Sequence, residues 1–255
     1  RGERVVERTH AAVDRALVEL APVVIPPVDH ADDSPAAAAP DAFAQGGEFV
    51  ARVTAQIAAG RGDLLPVSAL PVDGTYPTAT TQYEKRRLAA SIPIWEPDLC
   101  IDCGKCAIVC PHAAIRMKAY QEPALAGAPE GFLSKPFRSR EIPDHLLTVQ
   151  VAPDDCTGCG VCVDVCPAKD RTEPKRKAIN MTPAATAADV ERPRWDFFSA
   201  IPDLDPTLIT QDNVKTSQLR RPLFEFSGAC SGCGETPYIK LLTQLFGDRL
   251  LIANA

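Results

Sequence analysis

The sequence predicts an α+β fold. Its centre is a duplicated strand–loop–helix–strand unit, flanked by extended proline-rich segments and followed by the start of an α/β unit. Three observations predict this. Two stretches, 100–111 and 156–167, share the spacing C-x-x-C-x-x-C-x-x-x-C-P. Their likeness continues outside the cysteines at an offset of 56 positions: Pro97-Asp98-Leu99-Cys100 matches Pro153-Asp154-Asp155-Cys156, and Gly104 matches Gly160. Near the end, helical periodicity at 236–246 gives way to an apolar run at 250–253, a helix-then-strand order.

The totals set the frame. The 255 residues are 45 % apolar and 24 % charged, ordinary for a globular chain, and the net charge of −6 argues against a general nucleic-acid binder. No apolar run approaches the ~20 residues of a membrane helix. Arg1-Gly2-Glu3-Arg4 leads into an acidic amphipathic stretch, not a signal core. The chain therefore reads as cytoplasmic, where clustered cysteines signify metal or redox chemistry.

Residues 1–42 read as a helix over 3–20, with Val6, Val13, Leu17 and Leu20 near one face, then a Pro/Ala linker. Residues 43–93 form a connecting segment. It carries a short helix at 47–59, with Phe49, Val53 and Ile57 spaced by four, and ends in irregular, Pro-punctuated chain. The run Glu84-Lys85-Arg86-Arg87 reads as a solvated face. The duplicated domain spans 94–181, with an insertion at 118–147 draped over it. Residues 182–222 read as an irregular wrap carrying Trp195, Phe197 and Phe198. In 223–255, Phe224-Glu225-Phe226 reads as a short strand, Thr236 as an N-cap before Pro237, Gly247 as the helix stop, and 250–253 as a buried strand. An α/β unit that breaks off there reads as part of a longer chain.

The cysteine spacing is the one by which small bacterial ferredoxin domains hold two [4Fe–4S] clusters. Three thiolates within seven residues wrap one face of a cubane, and the helical turn that follows carries the fourth to the other cluster. This predicts crossed ligation. One cluster takes Cys100, Cys103, Cys106 and Cys166; the other takes Cys156, Cys159, Cys162 and Cys110. Structural zinc prefers separated pairs of ligands. Ala114-Ile115-Arg116-Met117 matches Ala178-Ile179-Asn180-Met181, so the halves should meet about a pseudo-twofold with Ile115 and Ile179 buried. The second half is longer by eight positions, filled from the basic stretch 169–177. That stretch reads either as a solvated loop or as a docking patch for an acidic electron carrier.

Ten cysteines are present, so Cys230 and Cys233 are left over. A redox dithiol, half a zinc site and half a third cluster all fit them, and Gly228, Gly232 and Gly234 suit close approach to a cofactor. His10, His30, His112 and His145 read as structural or exposed, although His112, just after Cys110-Pro111, could tune a cluster by a hydrogen bond.

These stretches together resemble the single-chain pyruvate:ferredoxin (flavodoxin) oxidoreductases, thiamine-diphosphate enzymes acting on 2-oxoacids. Tyr76 to Arg87, with Tyr83-Glu84-Lys85-Arg86, resembles the segment that precedes that family's ferredoxin domain. Cys106 to Arg116 and Asp155 to Gly160 resemble its two cluster motifs, and Leu223 to Ala255 is similar to the start of its thiamine-diphosphate-binding domain. The resemblance implies three [4Fe–4S] clusters. Cys230 and Cys233 supply two ligands of the cluster nearest thiamine diphosphate, Glu235 lies at the thiamine site, and the remaining ligands and the Mg²⁺ motif lie outside this chain. It implies a homodimer that passes electrons from pyruvate to ferredoxin or flavodoxin, with pyruvate and coenzyme A bound elsewhere. No catalytic residue is assigned within 1–255, and neither nucleic acid nor membrane is a partner. A stand-alone two-cluster carrier, or a related enzyme for another 2-oxoacid or acceptor, is the alternative. Cys230 and Cys233 argue against the first.

Overall fold

A computed structural model of the chain describes residues 2–22 and 41–253, in two units divided between Ala38 and Ala39. The first unit contains α1 (Glu3–Val18), with Glu3 in its first turn and Arg15 in its last, both complementary to the helix dipole. Its Val5, Val6 and Val13 are exposed. Most of the expected Pro/Ala linker lies outside the described residues.

In the second unit, helical chain covers 48–58, but Val50–Thr54 is wound as a π-helix before α2 (Ala55–Ala58). The wider turn shifts the phase of the face. Val50 and Ala55 are buried beside Phe43 and Val53 is buried too, while Ile57, expected on the inner face, is exposed.

The centre follows as β1 (Ser91–Trp95), α3 (Lys105–Ile108), β2 (Ile115–Tyr120), β3 (Lys135–Pro136), β4 (Leu146–Val151), α4 (Val161–Asp164) and β5 (Ile179–Pro183). Antiparallel pairing joins β1 to β5, with Trp95 opposite Ile179, and β2 to β4, with Ile115 opposite Val151. Ile92, Ile115, Met117, Leu147, Val149 and Ile179 are buried in one core with Trp95. The ladder takes up both ends of the insertion expected at 118–147. The rest of that insertion contributes β3 to β4, and its Phe137 and Ile142 to the core.

Residues 182–222 are not an irregular wrap. They contain α5 (Ala184–Ala200), with Pro193 inside it, and α6 (Val214–Ser217), whose Asn213 and Thr216 form a capping box. An internal proline costs about 3 kcal/mol. Burial of Trp195 and Phe198, at about 1.5–3 kcal/mol each, offsets it. Glu191, also buried, accepts from Gln150 (2.5 Å) and Arg194 (2.6 Å) and fixes the same turn.

The final helix, α7 (Thr236–Phe246), starts at Thr236 itself, with Glu235 as N-cap, and stops at Gly247. Its packing is the reverse of what its apolar pattern suggested. Thr236, Lys240, Thr243 and Gln244 face inward, while Tyr238, Leu242 and Phe246 are exposed. Neither expected flanking strand forms among the described residues. Phe226 sits at φ 48° and gives its N–H to the His112 carbonyl (2.9 Å), which takes it out of any ladder. Leu251 and Ile252 are exposed.

Candidate metal centres

Two cavities lie among the eight motif cysteines. Cys100, Cys103, Cys106 and Cys166 line the first, with Trp95 and Met117. Cys110, Cys156, Cys159 and Cys162 line the second, with His112 and Met181. Each cavity thus takes three cysteines from one motif and the fourth from the other. The helical turns explain the exchange: α3 holds Cys106 at the first cavity and delivers Cys110 to the second, and α4 does the reverse for Cys162 and Cys166.

The two cysteine loops have the same backbone shape. Asp102 and Gly158, two residues after the first cysteine of each motif, adopt φ 61° and 69°. Their N–H groups donate to Cys100 Sγ and Cys156 Sγ, both at 3.4 Å. At 158 a Cβ would approach the Ser91 carbonyl to 3.1 Å, so glycine is required there. At 102 an aspartate bears the left-handed conformation, which Asp tolerates better than most residues. Its buried carboxylate is held by Lys135 Nζ (2.9 Å) and the Arg138 N–H (3.1 Å), both from the insertion.

Lysines serve the other end of each short helix. Lys240, buried on α7, donates to the carbonyls of Ala107, Ile108 (3.1 Å) and Cys110 (3.3 Å). Lys177 donates to Val163 (2.6 Å) and Asp164 (3.2 Å), the positions that the 56-residue offset relates to Ala107 and Ile108. Burial pulls Lys240 down to about 8, against the opposing influence of the Cys110 thiol.

Burial pushes the thiols of Cys156 and Cys162 up to about 12, and those of Cys100 and Cys106 up as well, with neighbouring thiols adding to the effect at Cys106, Cys156 and Cys162. Thiols raised in this way ionise together only around a strongly positive centre. Each cavity wall also carries a buried ring nitrogen without a partner, the Trp95 Nε1 donor in the first and His112 Nε2 in the second. A donor left over beside a ring of sulfurs, as at Trp95, fits a group that brings further sulfur acceptors. No three His, Cys, Asp or Glu side chains among the described residues have the spacing of a single-ion site. Thiols set widely round a cavity suit a cubane better than a tetrahedral zinc ion.

Cys230 is exposed and Cys233 half-buried, on a turn where the Cys233 N–H meets the Cys230 carbonyl (3.0 Å). The Thr236 and Glu235 N–H groups at the start of α7 hold the Cys233 thiol below its usual range. The turn rests on the second cavity's loop. Ser231 Oγ reaches the Thr157 carbonyl (3.3 Å), and a Cβ on Gly232 would lie 3.7 Å from Cys159 Cβ. His112, its Nδ1 3.3 Å from Ser227 Oγ, stands between Cys110 and this segment, and burial lowers its pKa. Glu235 is exposed at the N-cap of α7.

The run Glu84–Arg87, expected as a solvated face, is instead engaged. Lys85 pairs with buried Asp155 (2.7 Å), and Arg86 donates to the Ser227 carbonyl (3.1 Å). In the basic stretch, Arg176 pairs with Glu96 (2.6 Å), and Lys169, Arg171 and Lys175 remain exposed. Sequence reasoning passed over Trp95, Asp102, Lys135 and Lys240. Comparing the two halves position by position would have flagged Asp102, the aspartate opposite Gly158. A lone lysine in the apolar pattern of 236–246 was the signal for Lys240.

Comparison with known proteins agrees with this geometry. Residues 99–169 match the family described as a 4Fe-4S dicluster domain, so the chain binds iron–sulfur clusters there. Residues 33–89 match a family, EKR, described only as a domain of unknown function. The whole chain is 48 % identical to a pyruvate-flavodoxin oxidoreductase of Nostoc and 45 % identical to a pyruvate:ferredoxin oxidoreductase of Moorella thermoacetica, covering 22 % and 21 % of those proteins. Over 82 % of its length it is 46 % identical to a mitochondrial pyruvate dehydrogenase [NADP(+)] of Euglena gracilis, covering 11 % of that protein. No helix among the described residues is long and apolar enough to cross a membrane. The chain spans about a fifth of the length of its bacterial relatives and, over its whole length, is similar to that fifth of pyruvate-flavodoxin and pyruvate:ferredoxin oxidoreductases.

Proposed function

We propose that this chain is the electron relay of a 2-oxoacid oxidoreductase that oxidises pyruvate with coenzyme A and delivers electrons to flavodoxin or ferredoxin. The single observation that carries the reading is the pair of four-cysteine cavities in crossed arrangement. Cys100, Cys103, Cys106 and Cys166 hold one [4Fe–4S] cluster, and Cys110, Cys156, Cys159 and Cys162 hold the other. The clusters supply one-electron carriers at potentials that the surrounding charges and hydrogen bonds adjust. The chain's own residues orient them, exclude water and donate N–H groups to sulfur. The two halves are related by a pseudo-twofold. The matched registers of Trp95 with Ile179 and Val151 with Ile115, related by the repeat offsets, support it.

Cys230 and Cys233 supply half of a third cluster, completed by cysteines elsewhere, and Glu235 lies toward thiamine diphosphate and its Mg²⁺ in the complete homodimer. The contact of Ser231 with Thr157 favours an order in which electrons pass from the Cys230 side to the Cys156 cluster and then to the Cys100 cluster. The test is iron and acid-labile sulfide on the purified whole enzyme, with reduction of the clusters by pyruvate followed by electron paramagnetic resonance. About twelve iron atoms per chain are expected from three cubanes, and they should be reducible by pyruvate and coenzyme A. Zinc alone, or clusters that pyruvate leaves oxidised, would sink the reading.

A further inference from the structure

Residues 33–89 match a family whose function is described as unknown, and the contacts of its Glu84–Arg87 run point to a role. The run lies between two segments. On one side are Asp154 and Asp155, directly before Cys156. On the other are Glu225, Phe226 and Ser227, leading to Cys230. Lys85 Nζ bonds Asp155 Oδ2 at 2.7 Å, and the Asp155 side chain is 4 % exposed. The Arg87 N–H bonds the Asp154 carbonyl (2.9 Å), and Arg87 Nε lies 3.4 Å from Asp154 Oδ1. Toward the other segment, Thr81 Oγ1 donates to the Glu225 carbonyl (2.9 Å), and Arg86 Nη1 reaches the carbonyls of Phe226 (3.4 Å) and Ser227 (3.1 Å). The Lys85 ammonium also stands 5.2 Å from the centre of the Phe226 ring. Glu84 pairs with Arg86 and so orients the guanidinium.

Two backbone angles support a built device. Lys85 and Arg87 adopt φ 39° and 51°. Left-handed conformations in such residues are strained and persist only where the surroundings over-determine them. With alternate residues left-handed, successive side chains and N–H groups address two different segments from one short run.

We infer that the Glu84–Arg87 run is a positioning clasp: it holds the Cys230–Cys233 turn at a fixed separation from the Cys156 loop, and thereby sets the first electron transfer between clusters. The inference rests on the proposed three-cluster reading. The step itself moves one electron, oxidising the cluster at Cys230/Cys233 and reducing the one at Cys156, with no proton or bond change. The clasp's hydrogen bonds and ion pairs run to Asp154, Asp155, Glu225, Phe226 and Ser227, on the peptide segments before Cys156 and before Cys230.

The test uses the whole enzyme carrying Lys85→Met, Arg86→Met or both. Cluster content should stay at the wild-type value. The magnetic interaction between reduced clusters should weaken, and pyruvate-driven reduction of the Cys156 cluster in a single turnover should slow about tenfold or more, since ångström misplacement can cost up to about a hundredfold. Lys85→Arg, which keeps the pair with Asp155, should restore both. Unchanged cluster interaction and unchanged single-turnover rate, with full iron content, would overturn the clasp and leave the three-cluster reading standing. A wild-type enzyme without three clusters would overturn both. If Lys85→Met does not accumulate, Arg86→Met alone decides, because Arg86 is exposed and its loss frees only the Phe226 and Ser227 carbonyls and the partly exposed Glu84 carboxylate.

Discussion

Replacing Asp102 by alanine should loosen the first cluster far more than any surface change nearby. The carboxylate side chain is fully buried, and its partner Lys135 is 13 % exposed. Truncating one member of a buried pair leaves the other uncompensated, at about 3–5 kcal/mol. The Arg138 N–H loses its acceptor, worth about 1–3 kcal/mol, and alanine at φ 61° adds about 1 kcal/mol of strain. Such terms overlap, so about 4–6 kcal/mol in all is the working figure. Cluster loss is irreversible, and the proper readout is a rate. Bleaching of the iron–sulfur absorbance of the whole enzyme in anaerobic urea should accelerate about a hundredfold if even half of this energy acts on the release step. Asp102→Asn keeps an acceptor for Arg138 and tolerates the left-handed angle, so it should be several-fold milder. Adding Lys135→Met to it removes the stranded charge and should slow bleaching again. Bleaching of Asp102→Ala within about threefold of wild type, or no relief from Lys135→Met, would refute the reasoning.

Crossed ligation predicts that Cys103→Ser with Cys166→Ser loses about four iron atoms, no more than either change alone, whereas Cys103→Ser with Cys110→Ser loses about eight; iron analysis separates the two. Lys240→Met should lower the reduction potential of the Cys110-ligated cluster by more than Lys177→Met lowers the other, because only Lys240 is fully desolvated; redox titration reads this on a scale where tenfold in a one-electron equilibrium is about 59 mV. Reversing the exposed charges of Lys169, Arg171 and Lys175 should slow delivery to an acidic flavodoxin at low salt and flatten the salt dependence; an unchanged rate and slope would return that loop to plain solvation.

The grouping of the eight motif cysteines into two crossed sets was legible because their spacing is so regular, and the duplicated spacing carried the strands, the short helices and the burial of Ile115 and Ile179 with it. The chain around them was less legible, for identifiable reasons. Pro193 reads locally as a breaker, yet the tertiary packing of Trp195 and Phe198 overrides it. The π turn at Val50–Thr54 has no period of its own in the sequence and moved Ile57 outward. Glu84–Arg87 looked solvated because composition cannot reveal partners some 70 and 140 positions away, Asp155 and Ser227. The strands expected at 224–226 and 250–253 were read from β-propensity alone, which is real only when a neighbour offers a ladder.

The reversed packing of α7 has a practical consequence. The helix gives its polar side to the cluster domain, where Lys240 and Gln244 are used, and turns Tyr238, Leu242 and Phe246, four positions apart, outward; Leu251 and Ile252 after it are exposed too. An apolar helix face of that kind is a sticky surface in water. A piece cut to these boundaries for spectroscopy should self-associate through its last twenty residues, and polar replacements at Tyr238, Leu242 and Phe246 would make it tractable without touching a single contact to the cysteines. One helix thus has two unlike sides, a buried one whose ammonium is bonded to carbonyls of the cluster domain and an exposed one of apolar side chains.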